Sequence, residues 1–255
     1  MLRLSYDGSF AGLLTAVFEI YEFKPAAFTV SIGVSQPDLF GKEHIVITDF
    51  AKALRVWNGL KLRISKGALT DVYACSLSEV KGIENSIVRY IQLAFRLDNA
   101  EKAFSDFSVL HVSKVAKMVY RERHRMEAFV RFKLTADNIY FASIEPDFNV
   151  LPLLVSHFRK RYADQRWLIY DNKREYGIFY NLFEVEEVSF KSKEGPLNEK
   201  SNFAEEEALY QKLWKDYFKH VNIPSRKNTK LHVQHVPKRY WKYLVEKEDE
   251  LEWGC

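Results

Sequence analysis

The chain is poor in sulfur: 255 residues contain two cysteines, Cys75 and Cys255. Neither has a second cysteine or a histidine at metal-ligand spacing, so a disulfide framework and a cysteine-held metal centre are excluded. So few thiols suit a reducing compartment. No uninterrupted apolar run approaches about 18 residues, and the opening MLRLSYDGSF has no apolar segment of signal-peptide type. Neither a membrane span nor a secretory signal is expected, and a cytoplasmic location is. Glycine-rich phosphate loops are missing in both common forms, GxGxxG and GxxxxGKS/T, and so is the GxSxG nucleophile turn. Cys75 falls inside a predicted helix, where it reads as a small buried hydrophobe. No metal or cofactor is expected, and sequence chemistry does not support an independent enzyme.

What is present suits an ordinary core: 47% hydrophobic residues, 15% aromatic and 28% charged. The net charge of +4 and a pI near 8.8 fit a polyanion partner, as they fit many proteins without one. Apolar periodicity predicts an α+β protein: a mostly helical half over 1–122, then 123–255 with an antiparallel-rich sheet, packed helices and a basic helical C-terminus. The two regions can equally form one continuous domain. The stripe Ile83, Ile87, Ile91 and Phe95 marks a core-facing helix over 82–97. A further helix runs from Val109 to about His124 with Val112, Val115, Ala116 and Val119 inward.

Near residue 125 the period changes to two. Ala128, Val130, Phe132 and Leu134 predict a strand, as do Tyr140, Ala142 and Ile144. Asp147 or Asn149 is expected to cap a helix with Leu151, Leu154 and Phe158 on one side. Arg166–Asp171 and Tyr176–Tyr180 read as strands around an Asn172–Glu175 turn, and 184–190 as a possible third. Lys191–Ser201 reads as a loop, Asn202 with Glu205 as the capping box of a helix with Leu213, Trp214, Tyr217 and Val221 inward, and Pro237 as the start of a short last helix.

Three constellations carry chemistry. His124, Glu145, His157 and Asp171 are the candidate acid–base groups, although no metal-binding or catalytic spacing joins them, and capping, core and turn roles explain them as well. Lys114, Lys117 and Arg121 line one helix face at i, i+3, i+7. Between Tyr210 and Lys247, ten lysines and arginines face only Asp216 and Glu246, a net of +8 with histidines neutral. Cations capture phosphates by releasing counterions, and exposed rings stack on unpaired bases. Arg226, Lys227, Asn228, Lys230, Lys238 and Arg239 are therefore the expected nucleic-acid contacts, helped by Lys114, Lys117 and Arg121, with Trp241 or Tyr240 as a stacking ring.

Several stretches carry a resemblance: YDGSF (6–10), ERH (122–124) running into FVRF (129–132), IEPDFNVLPLL with HF (144–158), DQRWLIYD (164–171), YGIFY (176–180), LWKDYFK, and IPSRKN followed by VPKRYWKYL (223–244). In this order they resemble a bacterial family of DNA-metabolism proteins that carries a domain of unknown function. Such proteins are encoded beside a radical-SAM protein of DNA modification or repair, and some relatives are fused to a uracil-DNA-glycosylase-like module, which this chain, ending at Trp253-Gly254-Cys255, is expected to lack. The resemblance implies polar positions at His124, Arg131, Glu145, Asp147, His157, Asp171, Arg226, Asn228, Lys238 and Arg239, and establishes no catalytic set. The expectation is an accessory protein of DNA repair or modification that binds DNA and cooperates with a radical-SAM enzyme. The alternatives are an enzyme acting on DNA or nucleotides through the His/carboxylate groups, and an adaptor whose only ligand is the radical-SAM partner.

Overall fold

The computed structural model describes residues 1–33, 42–190, 203–221 and 228–247. The chain divides into two compact units, Met1–Tyr120 and Arg121–Cys255. The architecture is α+β.

In the first unit, β1 (Leu2–Tyr6) is the middle of a parallel three-stranded sheet between β2 (Phe28–Ile32) and β3 (Lys42–Ile45). α1 (Phe10–Phe23) connects β1 to β2, the kind of crossover that parallel pairing requires. It starts where the Ser9 hydroxyl accepts the Gly12 N–H at 2.9 Å. α2 (Phe50–Lys61) is capped by the Asp49 carboxylate and α3 (Lys66–Ser76) by the Ser65 hydroxyl. α4 (Ile83–Arg96) buries the expected Ile83, Ile87 and Ile91. Leu4, Leu13, Val17, Val72 and Val112 join them in one core. Cys75 is buried there, and burial pushes its thiol up to about 12, so it stays protonated.

α5 (Phe107–Phe129) contains the boundary between the units. It runs farther than its expected end near His124, and the predicted strand over 128–134 shrinks to β4 (Lys133–Leu134). Val119, Glu122, Met126 and Val130 are all buried, a helical spacing that overlaps the alternation starting at Ala128. The Val130 N–H still bonds to the Met126 carbonyl at 3.1 Å.

The second unit holds a five-stranded sheet in the order β4-β5-β6-β7-β8, with β5 (Tyr140–Ile144), β6 (Trp167–Asp171), β7 (Tyr176–Tyr180) and β8 (Val185–Val188). Only β5 and β6 run parallel, joined through α6 (Leu151–Arg161); the other pairings are antiparallel. Every residue of β6 is buried. Trp167 packs edge-on against Phe158 of α6, while Leu168 and Tyr170 on the other face cluster with Phe141. The β6–β7 turn is the expected one: the Asp171 carboxylate accepts the N–H groups of Lys173 and Arg174 at 2.9 and 3.3 Å.

α6 starts without the expected side-chain cap. Asp147 and Asn149 are engaged elsewhere, Asp147 with Arg239 and Asn149 with the Tyr176 hydroxyl. α7 (Glu207–Val221) differs more: Leu213, Trp214, Tyr217 and Val221, expected inward, are exposed. The loop over 191–201 and the cap at Asn202 lie outside the described residues. α8 (Thr229–His235) precedes Pro237, which opens a 3-10 segment, Lys238–Tyr243, in place of an α-helix.

A Cβ on Gly177 of β7 would lie 3.0 Å from the Ile169 carbonyl oxygen and from side-chain carbons of Leu168 and Tyr170. Gly177→Ala is expected to cost about 1–3 kcal/mol through overpacking. The urea midpoint would fall at unchanged slope; an unaltered midpoint would show that β6 and β7 part without cost.

Candidate nucleic-acid interface

The basic C-terminal segment does not present most of its described cations freely. Three carboxylates fix it, each accepting from an aromatic O–H or N–H and lying within ion-pair distance of a cation. Glu122 of α5, 1% exposed, accepts the Tyr240 hydroxyl and the Asp147 N–H, with Arg239 at 3.7 Å. Arg239 also reaches Asp147 at 2.6 Å. Glu145, at the end of β5, takes Lys242 at 2.5 Å and the Tyr243 hydroxyl at 2.6 Å. Glu246 takes Arg131 at 2.7 Å and the Trp214 indole N–H at 2.9 Å.

This arrangement changes the expected phosphate set. Arg239 is an ion-pair partner of carboxylates, and Trp241 (6% exposed) and Tyr240 are buried, so neither ring is a stacking surface. The Trp241 indole N–H donates to the Val236 carbonyl at 2.9 Å. Asn228 caps α8 through the Leu231 N–H. Lys230 and Lys238 are exposed and have no carboxylate partner among the described residues, while Arg226 and Lys227 lie outside them. Lys114, Lys117 and Arg121 are exposed along α5.

The acid–base candidates go to different surroundings. Asp171 is completely buried and pairs with Arg174 at 2.7 Å. Glu145 has the partners just described. His124 is largely exposed, 3.8 Å from Glu127. His157 packs edge-on against Phe158. Among the described residues no hydrogen bond or ion pair joins any two of the four. Nor do three or more His, Cys, Asp or Glu side chains gather there to hold a metal ion. No helix described is long and apolar enough to cross a membrane.

Sequence reasoning passed over a groove of about 900 Å³ in the second unit. The end of α5 and the residues leading into β4, the start of β5, α6 with the residues just after it, and α7 supply its lining, including Phe132, Tyr140, His157, Phe158, Tyr162, Tyr210 and Trp214. Phe132 meets Phe158 and Tyr162 edge-on at 5.6 and 5.3 Å. Both groove acids are occupied: Glu207 accepts the Leu134 N–H and the Gln211 amide, and Glu127 pairs with Arg123. The last turn of α6 is Arg159-Lys160-Arg161, of which Arg161 lines the groove while Arg159 and Lys160 line a neighbouring depression with Pro152 and Val155, and Arg166 follows shortly after. All four cations are exposed, and where they bond they bond to neutral groups. Arg159 donates to the Phe183 carbonyl, Arg161 to the Tyr162 hydroxyl and Arg166 to the Asp137 carbonyl. The run HFRKRY is legible in the sequence, but the C-terminal block outweighs it in total charge.

A family model, DUF4130, a domain of unknown function, matches residues 81–246. The chain belongs to this family. The match takes in the groove and all three carboxylate anchors. No curated protein matches the chain.

The anchors carry a pH dependence. The bond from Lys242, and then that from Tyr243, holds the Glu145 carboxyl below its ordinary value. Burial pushes Glu246 up, but the Arg131 pair outweighs it and the carboxyl lies low. Groups depressed in the fold stabilise it above their unfolded pKa, about 4.3 for Glu, and that contribution is lost as pH falls through the folded pKa. Glu246→Gln should lower the urea midpoint at pH 7, and the gap from wild type should close below about pH 4. A constant gap would mean that charge is not what Glu246 contributes. Glu122→Ala strands the Tyr240 hydroxyl and the Asp147 N–H. The expected loss is about 1–3 kcal/mol for each stranded donor, read from the same denaturation curves.

Proposed function

We propose that this protein is an accessory nucleic-acid-binding protein of DNA repair or modification, working beside a radical-SAM enzyme. The observation that carries the reading is the cation block Arg159, Lys160, Arg161 and Arg166, whose charge no described carboxylate neutralises. Basic residues at the end of a helix also complement its dipole, but Arg166 lies beyond the helix and that effect does not require it. Lys230 and Lys238 extend the set. Arg239 leaves it, and Lys242 does not join it, because a lysine or arginine already paired with a carboxylate gives up that bond to reach a phosphate. The DNA setting and the radical-SAM partner are supported by the ordered sequence stretches running from YDGSF to VPKRYWKYL. A second reading, the adaptor, draws support from the exposed row Leu209, Leu213 and Tyr217 on α7.

Four phosphate contacts predict that affinity for duplex DNA falls on the order of 10²-fold between roughly 50 and 200 mM salt. Lys160→Glu with Arg161→Glu should weaken binding across all sequences and flatten the salt dependence, by about one in slope for each phosphate no longer neutralised. Lys242→Glu should act on the urea midpoint first. No binding at the lowest salt, or binding indifferent to salt, would overturn the reading. Co-purification of the radical-SAM protein without DNA retention would select the adaptor.

A further inference from the structure

The groove in the second unit combines flat apolar walls, one uncompensated cation, Arg161, in its lining and an unused amide, and these three properties specify a ligand. We infer that it receives one unstacked nucleobase of a single-stranded stretch, with the adjoining phosphate held by Arg161. This rests on the nucleic-acid reading above and narrows it to unpaired strand. A volume of about 900 Å³ falls in the range of small-molecule sites and leaves room for a base with its sugar. The phenol of Tyr162 and the indole of Trp214 supply π-faces, and stacking on such faces is tolerant of base identity. Tyr162 is braced by its contact with Phe132 and by a parallel stack on Phe158, ring centroids 6.1 Å apart. Trp214 is held by the Glu246 bond, with the Arg131 guanidinium 5.7 Å from its ring centroid. Neither ring therefore has to be ordered by the ligand.

The polar groups of the groove decide against a purely apolar guest. The Glu127 carboxylate is paired with Arg123, while that of Glu207 accepts two neutral donors and keeps its negative charge, so the anionic part of a guest belongs on the Arg161 side. The side-chain amide of Gln165 has no partner among the described residues and offers a donor and an acceptor to a base edge. Arg161 donates its Nε to the Tyr162 hydroxyl at 3.4 Å and lies 5.8 Å from that ring. Its remaining donors are not claimed by any described carboxylate. A base against Tyr162 would thus bring its phosphate to the guanidinium that borders the same ring.

The test uses the full chain, a fluorescently labelled oligothymidylate, the same strand with abasic sites, and a blunt duplex. Single strand should bind more tightly than duplex and quench tryptophan emission. Removal of one stacking partner in Trp214→Ala should weaken the single strand by about 5- to 150-fold while sparing the duplex. Trp214→Phe, which keeps a ring but not the N–H, should retain most of the affinity, and the urea midpoint of each variant separates misfolding from the removal of a stacking face. The abasic strand should bind as weakly as Trp214→Ala binds the intact one. Equal binding of abasic and intact strands, still falling with salt, would overturn the base site and leave the nucleic-acid reading standing. Failure of every strand to bind would remove both.

Discussion

A buried carboxylate with several donors holds the second unit together. Glu122 lies on α5, yet its oxygens take bonds from the backbone after β5 and from the phenol of a segment more than a hundred residues later in the chain. Desolvating a carboxylate is costly unless donors replace the lost water. Here the donors come from separate elements, so the cost is recovered only when helix, sheet end and C-terminal segment are all in place. Glu145 and Glu246 repeat the arrangement with Tyr243 and Lys242, and with Trp214 and Arg131. An aromatic donor brings apolar area along with its hydrogen bond. Each anchor is therefore also a packing contact.

This has a consequence for reading charge. The segment from Tyr210 to Lys247 is the most basic in the sequence, but a count of lysines and arginines does not say which of them meet carboxylates in space. Arg239 and Lys242 meet Asp147, Glu122 and Glu145, acids that stand about a hundred residues earlier. Besides Lys230 and Lys238, uncompensated charge belongs to a shorter run, Arg159-Lys160-Arg161, too brief to dominate any count along the chain. Net charge along a sequence and field at a surface are separate quantities.

Local patterns were legible where one principle dominated. The stripe of α4 and the Asp171 turn between β6 and β7 needed only spacing and turn chemistry. The end of α5 was not legible, because Ala128, Val130, Phe132 and Leu134 satisfy period two while Val119, Met126 and Val130 satisfy the helix. Which wins depends on burial of Glu122, a tertiary fact. The outward face of α7 was misread for the opposite reason. Its aromatic and aliphatic spacing fits a core helix, but among its described side chains only Glu207, at its start, is buried. Asn228 and Trp241, assigned to a ligand by their neighbours in sequence, serve a cap and the core.

The groove was invisible for a more general reason. Its rings come from positions 132, 140, 158, 162, 210 and 214, each of which has a bland explanation within its own element. Phe158 is a core residue of α6, Tyr140 starts a strand, and Trp214 looks like part of an amphipathic stripe. Their meeting is produced by the same bonds that fix the C-terminal segment: the Glu246 carboxylate that holds Arg131 also holds the Trp214 indole. The aromatic wall and the anchoring of the chain's last described residues are thus one construction. Disturbing the anchor should move the wall, so a polar residue that does not itself line the groove can control whether the groove keeps its shape.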